Sequence, residues 1–154
     1  MTRKNDESRT LKPFPWRCPS CAQVTLTPTE IAHRSEIKYE SRLHVVEIAC
    51  LAVLKCTNCG EVIYTNDSDD AIADALRQQL GLLTPREIKE CRETLGLTQR
   101  ELAAHLGTAE ETISRWEGGL LIQSHAMDNL LRLYFNVPAA RTMLAGAHVR
   151  FGTA

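Results

Sequence analysis

LGLTQRELAAHLGTAEETISRWEGG, residues 95–119, decides the fold of the second half of the chain. Leu102, Ala103 and Leu106 fall on one face of a helix that starts at Gln99, and Ile113 and Trp116 fall on one face of the next. Gly107 lies between them, where a tight turn is needed. Thr98 stands three residues before Glu101, and Thr108 three before Glu111. In that spacing the Thr hydroxyl takes a backbone N–H of the first turn and the Glu reaches back to the Thr amide, a capping box. Thr84-Pro85-Arg86-Glu87 repeats the pattern upstream, with proline at the first helical position, where its missing N–H costs nothing. Gly96 and Gly107 act as C-terminal stops. The reading is three short helices at about 85–95, 99–106 and 109–117, a fourth from about Ser124 to Phe135 and a fifth from Pro138.

The three short helices have the arithmetic of a helix-turn-helix, whose last helix lies in the major groove of DNA. Its outward face carries Glu110, Glu111, Thr112, Ser114 and Arg115, and Thr108 stands at its start. Arg115 can bridge O6 and N7 of a guanine, and Thr112 and Ser114 can reach bases or phosphates. Gln99, at the N-terminus of the preceding helix, faces the backbone, where free N–H groups suit a phosphate. A helical bundle without a ligand fits the apolar stripe equally well. Residues 81–154 hold eight Lys/Arg and eight Asp/Glu, and two acids sit on the reading face. Charge therefore does not argue for nucleic acid; it leaves a local basic face, doubled by a dimer, as the requirement.

Upstream the chemistry changes. Cys18-Pro19-Ser20-Cys21 and Cys56-Thr57-Asn58-Cys59 are two Cys-x-x-Cys knuckles separated by a strand-like segment. Ile37 and Tyr39 alternate with Glu36, Lys38 and Glu40 as in a half-buried strand. Leu43 to Leu54 reads as one long strand or two, and Glu61 to Thr65 as a short one. Brought together, four thiolates complete the coordination of one Zn²⁺ and leave no open position, so the ion would be structural. Two disulfides or a redox pair are the alternatives; a redox motif normally appears once, at a helix start after a strand. Iron also accepts four thiolates. Cys50, inside an apolar run, and Cys91, beside Ile88 and Leu95, read as buried fillers. The five histidines show no ligand spacing.

The expected fold class is α+β, a small β-rich four-cysteine zinc domain followed by an all-α domain. Residues 1–12 read as a disordered arm, 13–66 as the zinc domain, 67–83 as a linker helix and 84–154 as the helical domain with C-terminal dimerisation helices. The linker helix spans about Asp70 to Leu80, capped by Ser68 or Asp67. Leu130, Leu131, Leu133, Tyr134, Phe135, Leu144, Val149 and Phe151 exceed what one small domain can bury, and predict a twofold dimer. The composition, 44 % apolar and 24 % charged with net charge −1, is that of an ordinary folded protein. No apolar run has the length of a membrane span. The polar N-terminus MTRKNDESRTLK lacks the core of a secretory signal. A cytoplasmic protein with reduced thiols is expected.

Residues 95–119 resemble the Xre class of phage-repressor-like helix-turn-helix domains. CPSC at 18–21 with VEIACLAVLKCTNCGEVIYTNDSDDAIADAL at 46–76 is similar to the YgiT-type zinc finger. The two in this order, over about residues 16 to 135, look like the MqsA-type antitoxins of bacterial toxin–antitoxin systems. That resemblance implies a zinc domain that binds a toxin, usually an mRNA-cleaving ribonuclease, and a dimeric helix-turn-helix domain that represses its own operon at a palindromic operator. It implies zinc ligation by Cys18, Cys21, Cys56 and Cys59. It places Gln99, Thr112, Ser114 and Arg115 at DNA-facing positions, and Arg92 and Glu117 where many Xre domains have an ion pair. Glu110 and Glu111 depart from the uncharged polar residues common there. The competing readings are a zinc-dependent protein-binding adaptor and a stand-alone regulator without a toxin. A zinc enzyme is disfavoured, because no Glu or His pairs with the ligands in a catalytic pattern.

Overall fold

The computed structural model describes residues 12–146. The expected arm, apart from Lys12, and the dimerisation candidates Val149 and Phe151 lie outside the described residues. In chain order the elements are β1 (Trp16–Arg17), β2 (Val24–Tyr39), β3 (Arg42–Cys56), β4 (Val62–Ile63), α1 (Asn66–Leu80), α2 (Pro85–Thr94), α3 (Gln99–Leu106), α4 (Glu110–Glu117), α5 (His125–Asn136) and α6 (Pro138–Ala145). The class is α+β, as expected. The chain divides into two compact units. One comprises the residues up to Arg34 together with Glu47–Asp69, and the other Ser35–Val46 with the chain from Asp70 onward.

The first unit is built on one antiparallel sheet in the order β1-β2-β3-β4. The two outer strands are only two residues long. Trp16 pairs with Leu26, and Leu54 and Lys55 pair with Ile63 and Val62. Pro28, two residues beyond Leu26 on β2, has no N–H to offer a neighbouring strand, which suits the end of the β1 pairing there. Cys18, Leu26, Leu54 and Cys56 form the buried cluster, with Trp16, Cys21 and Ile63 against it. A core this small cannot fold a module unaided.

Between Leu43 and Leu54 the chain is one strand, and β2 runs well upstream of the predicted Ile37–Tyr39 segment. Alternation along β3 slips first at Ala49–Cys50 and again at Val53–Leu54. His44, Val46 and Ile48 are shielded, then Ala49 and Cys50 are both exposed, and Leu51 and Val53 resume the burial. The expectation that Cys50 is a buried filler is therefore wrong: the first slip turns its side chain outward although its neighbours in sequence are apolar.

At the start of α1 the Thr65 hydroxyl accepts the Ser68 N–H at 3.3 Å and the Ser68 hydroxyl accepts the Thr65 N–H at 3.0 Å. The helix thus begins at Asn66, four residues before the predicted Asp70, and Thr65 does the work expected of Asp67 or Ser68. Ser68 is instead buried, donating to the Ala52 carbonyl at 2.6 Å.

In the second unit the apolar stripes converge. Ile88, Leu102, Ala103, Leu106, Ile113 and Trp116 are buried together with Leu83, Leu131 and Tyr134. Thr84 and Thr98 form the predicted capping boxes, each hydroxyl accepting the N–H of Glu87 or Glu101. The third box is not formed. Ala109 is the N-cap of α4, with no side-chain cap bond. The cause lies in how α3 ends: Gly107 sits at φ 69, its N–H and that of Thr108 return to the carbonyls of Ala104 and Ala103, and this Schellman closure uses Thr108 before a new helix can start.

Buried Asp128 ties α5 to the α1–α2 loop. Its carboxylate accepts from the Leu83 N–H at 2.7 Å, Gln123 Nε2 at 3.0 Å and Arg132 Nε at 2.7 Å. Burial alone would raise the Asp128 carboxyl, but these donors outweigh it and hold it below its ordinary value. The hairpin tip joins the same unit: Tyr39 OH donates to the Gln123 carbonyl at 2.9 Å, and Glu40 accepts the His125 N–H at 2.8 Å. Of the apolar residues assigned to a dimer contact, Leu131 and Tyr134 lie in the core and Leu130 and Phe135 pack against it. Leu133 and Leu144 stay exposed, joined by Val137 and Met143.

Candidate functional site

The two knuckles are built alike. In the first, the Cys18 N–H donates to the Gln23 carbonyl at 2.8 Å and the Ala22 N–H to the Cys18 carbonyl at 2.9 Å. In the second, Cys56 donates to Glu61 at 2.9 Å and Gly60 to Cys56 at 3.0 Å. The residue that closes each turn has positive φ, 80° at Gly60 and 59° at Ala22. Glycine meets that demand freely, whereas Ala22 holds it against its own Cβ.

Because the turns match, the sulfurs meet in pairs. Cys18 and Cys59 Sγ are 3.7 Å apart and Cys21 and Cys56 Sγ 3.6 Å, with all four within 4.8 Å of one another. A disulfide would bring a pair to about 2.05 Å. Four sulfurs at ~2.3 Å from a shared centre in a tetrahedron stand about 3.8 Å apart. The cluster therefore has the dimensions of a four-thiolate metal site, and these four residues can hold an ion.

Its electrostatics agree with that use. The Thr25 hydroxyl, 3.0 Å from Cys56 Sγ, and the Cys59 N–H at 3.4 Å bring the Cys56 thiol down to about 6. The Asn58 side chain lowers Cys21. At Cys59 the Glu61 backbone lowers the value, but burial and the neighbouring thiols of Cys56, Cys18 and Cys21 outweigh it and push it up to about 12. Crowded thiols cannot all ionise without a cation, and ligation releases their protons. Thr25 and Asn58 carried no sequence signal, since nothing in spacing marks a hydroxyl on the neighbouring strand, 31 residues away, as a thiolate partner. Cys91 is half-buried on α2, and burial raises it first, followed by Glu87 and Glu90.

The predicted DNA-facing residues are brought together only in part. Gln99, Glu111, Ser114 and Arg115 line one shallow depression with Glu110. Thr108 and Thr112 are half-buried and do not line it. Ile113 and Trp116 are buried beneath. Among the described residues Arg115 makes no ion pair, so the i,i+4 pairing with Glu111 is not formed.

The Arg92–Glu117 pair is present and bidentate, Nε to Oε1 at 2.6 Å and Nη2 to Oε2 at 2.9 Å. Glu117 first, by hydrogen bond, and then by charge holds Arg92 above its ordinary value against the burial that would lower it. Arg92 Nη1 also donates to the Leu97 carbonyl at 2.7 Å, bracing the α2–α3 turn. Gln99 Nε2 donates to the same Glu117 carboxylate at 2.7 Å. The Gln99 amide donor is thus engaged with Glu117, and the side chain is half-buried.

No curated protein matches the chain. The family described as "Antitoxin component of bacterial toxin-antitoxin system, MqsA" matches residues 16–140, a span that takes in both knuckles and all of α1 to α5. The chain, with its four-thiol cluster and the helices α1 to α5 inside that span, belongs to the MqsA antitoxin family.

Proposed function

We propose that this chain is a non-enzymatic, DNA-binding antitoxin that neutralises a partner toxin, an mRNA-cleaving ribonuclease, and represses its own operon in the cytoplasm. The family match over residues 16–140 carries the proposal. Zn²⁺ is the proposed ion, one per chain. Cys18, Cys21, Cys56 and Cys59 would hold it, and four thiolates leave it no free position for a substrate. What it supplies is folding energy for a unit whose apolar cluster is small.

On the helical unit we infer that α3 and α4 form a helix-turn-helix. Arg115, exposed and without an ion pair among the described residues, reads guanine in the major groove, and Thr112 and Ser114 flank it. Thr108 and Gln99 approach the phosphate backbone. Glu111, no longer tied up in a cap, is available to accept from cytosine N4. The exposed Leu133, Val137, Met143 and Leu144 supply apolar surface for the homodimer that a palindromic operator requires. No helix among the described residues is long and apolar enough to cross a membrane.

A gel shift of the full chain on the DNA upstream of its own gene, at two salt concentrations, tests this reading. A specific complex that weakens as salt rises is expected, because phosphate contacts release counterions. Equal binding to upstream and unrelated DNA, or none to either, rejects it in favour of a zinc-dependent adaptor that binds protein alone. Glu110 and Glu111, two acids on the outward face of α4, are the observation that favours that second reading.

A further inference from the structure

Arg77 of α1 is buried to 2 % exposure, yet it carries a charge. Nη1 meets Asp74 on the same helix at 2.8 Å, and Nη2 donates to the Gly119 carbonyl at 3.3 Å. Nε is buried without a partner among the described residues. Had the pair with Asp74 been the purpose, the guanidinium could make it in water, where Asp74 lies 60 % exposed. Instead the head turns inward and accepts an unsatisfied donor. It lines a cavity of about 180 Å³ with Asp70, Asp74, Pro85, Glu117 and the Gly118–Gly119 backbone.

What it reaches there is the end of α4. Gly119 takes φ 76 and its N–H returns to the Trp116 carbonyl. The next two amides, of Leu120 and Leu121, both donate to the Arg115 carbonyl, at 2.9 and 3.3 Å. The turn that fixes the backbone of Arg115 is therefore the turn whose carbonyl Arg77 holds. A positive charge at this place also complements the partial negative charge at the C-terminus of α4. Three of the lining side chains, Asp70, Asp74 and Glu117, are acidic, which argues against an anion as the object of the buried guanidinium.

We propose that Arg77 is a positioning residue for α4, acting through Gly119 to fix the direction of Arg115. The proposal rests on the reading of α4 as the DNA-facing helix. It makes α1 a working part of the recognition apparatus.

The test uses the full metal-loaded chain and two variants, Arg77→Met and Arg77→Lys. Amide hydrogen exchange is read at Leu120 and Leu121, and affinity is measured for the upstream DNA and for unrelated DNA. In Arg77→Met both amides should exchange at least tenfold faster, with the Leu102 and Ile88 amides unchanged. Upstream-DNA affinity should fall at least tenfold while affinity for unrelated DNA holds, a split that general destabilisation would not give. Lysine keeps the charge but cannot span Asp74 and Gly119 as a planar fork does, so Arg77→Lys should show a smaller acceleration at the same two amides. Unchanged exchange at Leu120 and Leu121 in Arg77→Met, or in Arg77→Lys where the methionine variant does not fold, overturns the proposal. Faster exchange with unchanged upstream-DNA affinity overturns it too. If wild type fails to prefer upstream DNA while the amides respond, the anchoring stands and the DNA reading of α4 falls.

Discussion

The two units of this chain solve the same problem with opposite means. The buried cluster of the knuckle unit is Cys18, Leu26, Leu54 and Cys56, so half of it is cysteine. The apolar cluster of the helical unit has nine buried residues, of which only Tyr134 and Trp116 carry a polar side-chain group. One has four thiols placed to be closed by coordination, the other is closed by area removed from water. The difference teaches where each unit is fragile: the first at a few atoms, the second across a whole interface.

The largest expected effect follows from that contrast. Chelation should melt the knuckle unit and leave the helical core standing, because structural zinc supplies on the order of 10–16 kcal/mol in small modules. Nuclear magnetic resonance of the chelated chain would show it. Amides near Cys18, Leu26 and Cys56 should lose dispersion while those of Ile88, Leu102 and Ile113 keep theirs. Retention of both sets would erase the contrast.

The next effect lies in the helical unit. Arg92→Ala removes one partner of a pair whose side chains are 10 % and 3 % exposed, stranding Glu117 and loosening Gln99. Breaking a buried pair in this way costs about 3–5 kcal/mol. Urea denaturation should register that loss while metal content stays unchanged. A cost near zero would mean that the helical unit is held by area alone.

Those two outcomes rest on features that were legible in the sequence. Cys-x-x-Cys spacing specifies a knuckle locally, and Thr-x-x-Glu specifies a cap locally, so both survive without knowledge of the fold. Arg92 and Glu117 were legible through resemblance. What depended on geometry at a distance was not. Cys50 was misjudged because one slip in the alternation of β3 reverses the outward side. Thr108 was misjudged because the closure of α3 claims it first. Most of β2 escaped because residues 27–35 read TPTEIAHRS, in which Ile31 and Ala32 are adjacent and the rest is proline or polar, so no period of two shows. Arg77 had no signal at all, since a basic residue in the last turn of a helix ordinarily faces water.

A smaller effect sharpens the contrast between shape and reading within the helical unit. Arg115→Ala should cost roughly 1–3 kcal/mol of discrimination per half-site and leave the melting temperature and the metal content where they were. Fluorescence anisotropy on upstream and scrambled DNA measures it; a loss shared equally by both DNAs would make Arg115 a phosphate contact.

The smallest effect separates two threonines that look alike in sequence. Thr98→Ala removes a formed cap and should cost about 1 kcal/mol. Thr108→Ala removes a hydroxyl that caps nothing, and should move the denaturation midpoint by less than a quarter as much. Equal losses in paired urea titrations would restore Thr108 as the cap of α4.

The shortness of the helices has a consequence for turnover. α3 and α4 are eight residues each and α5 is twelve. Segments below ~12–15 residues do not persist as helices in water, so none of these survives once its neighbours leave. A protease therefore meets the helical unit either intact, with its cleavable backbone folded away, or opened along its whole length. Destruction of this unit should run without long-lived nicked fragments, and its rate should follow the population of the open state.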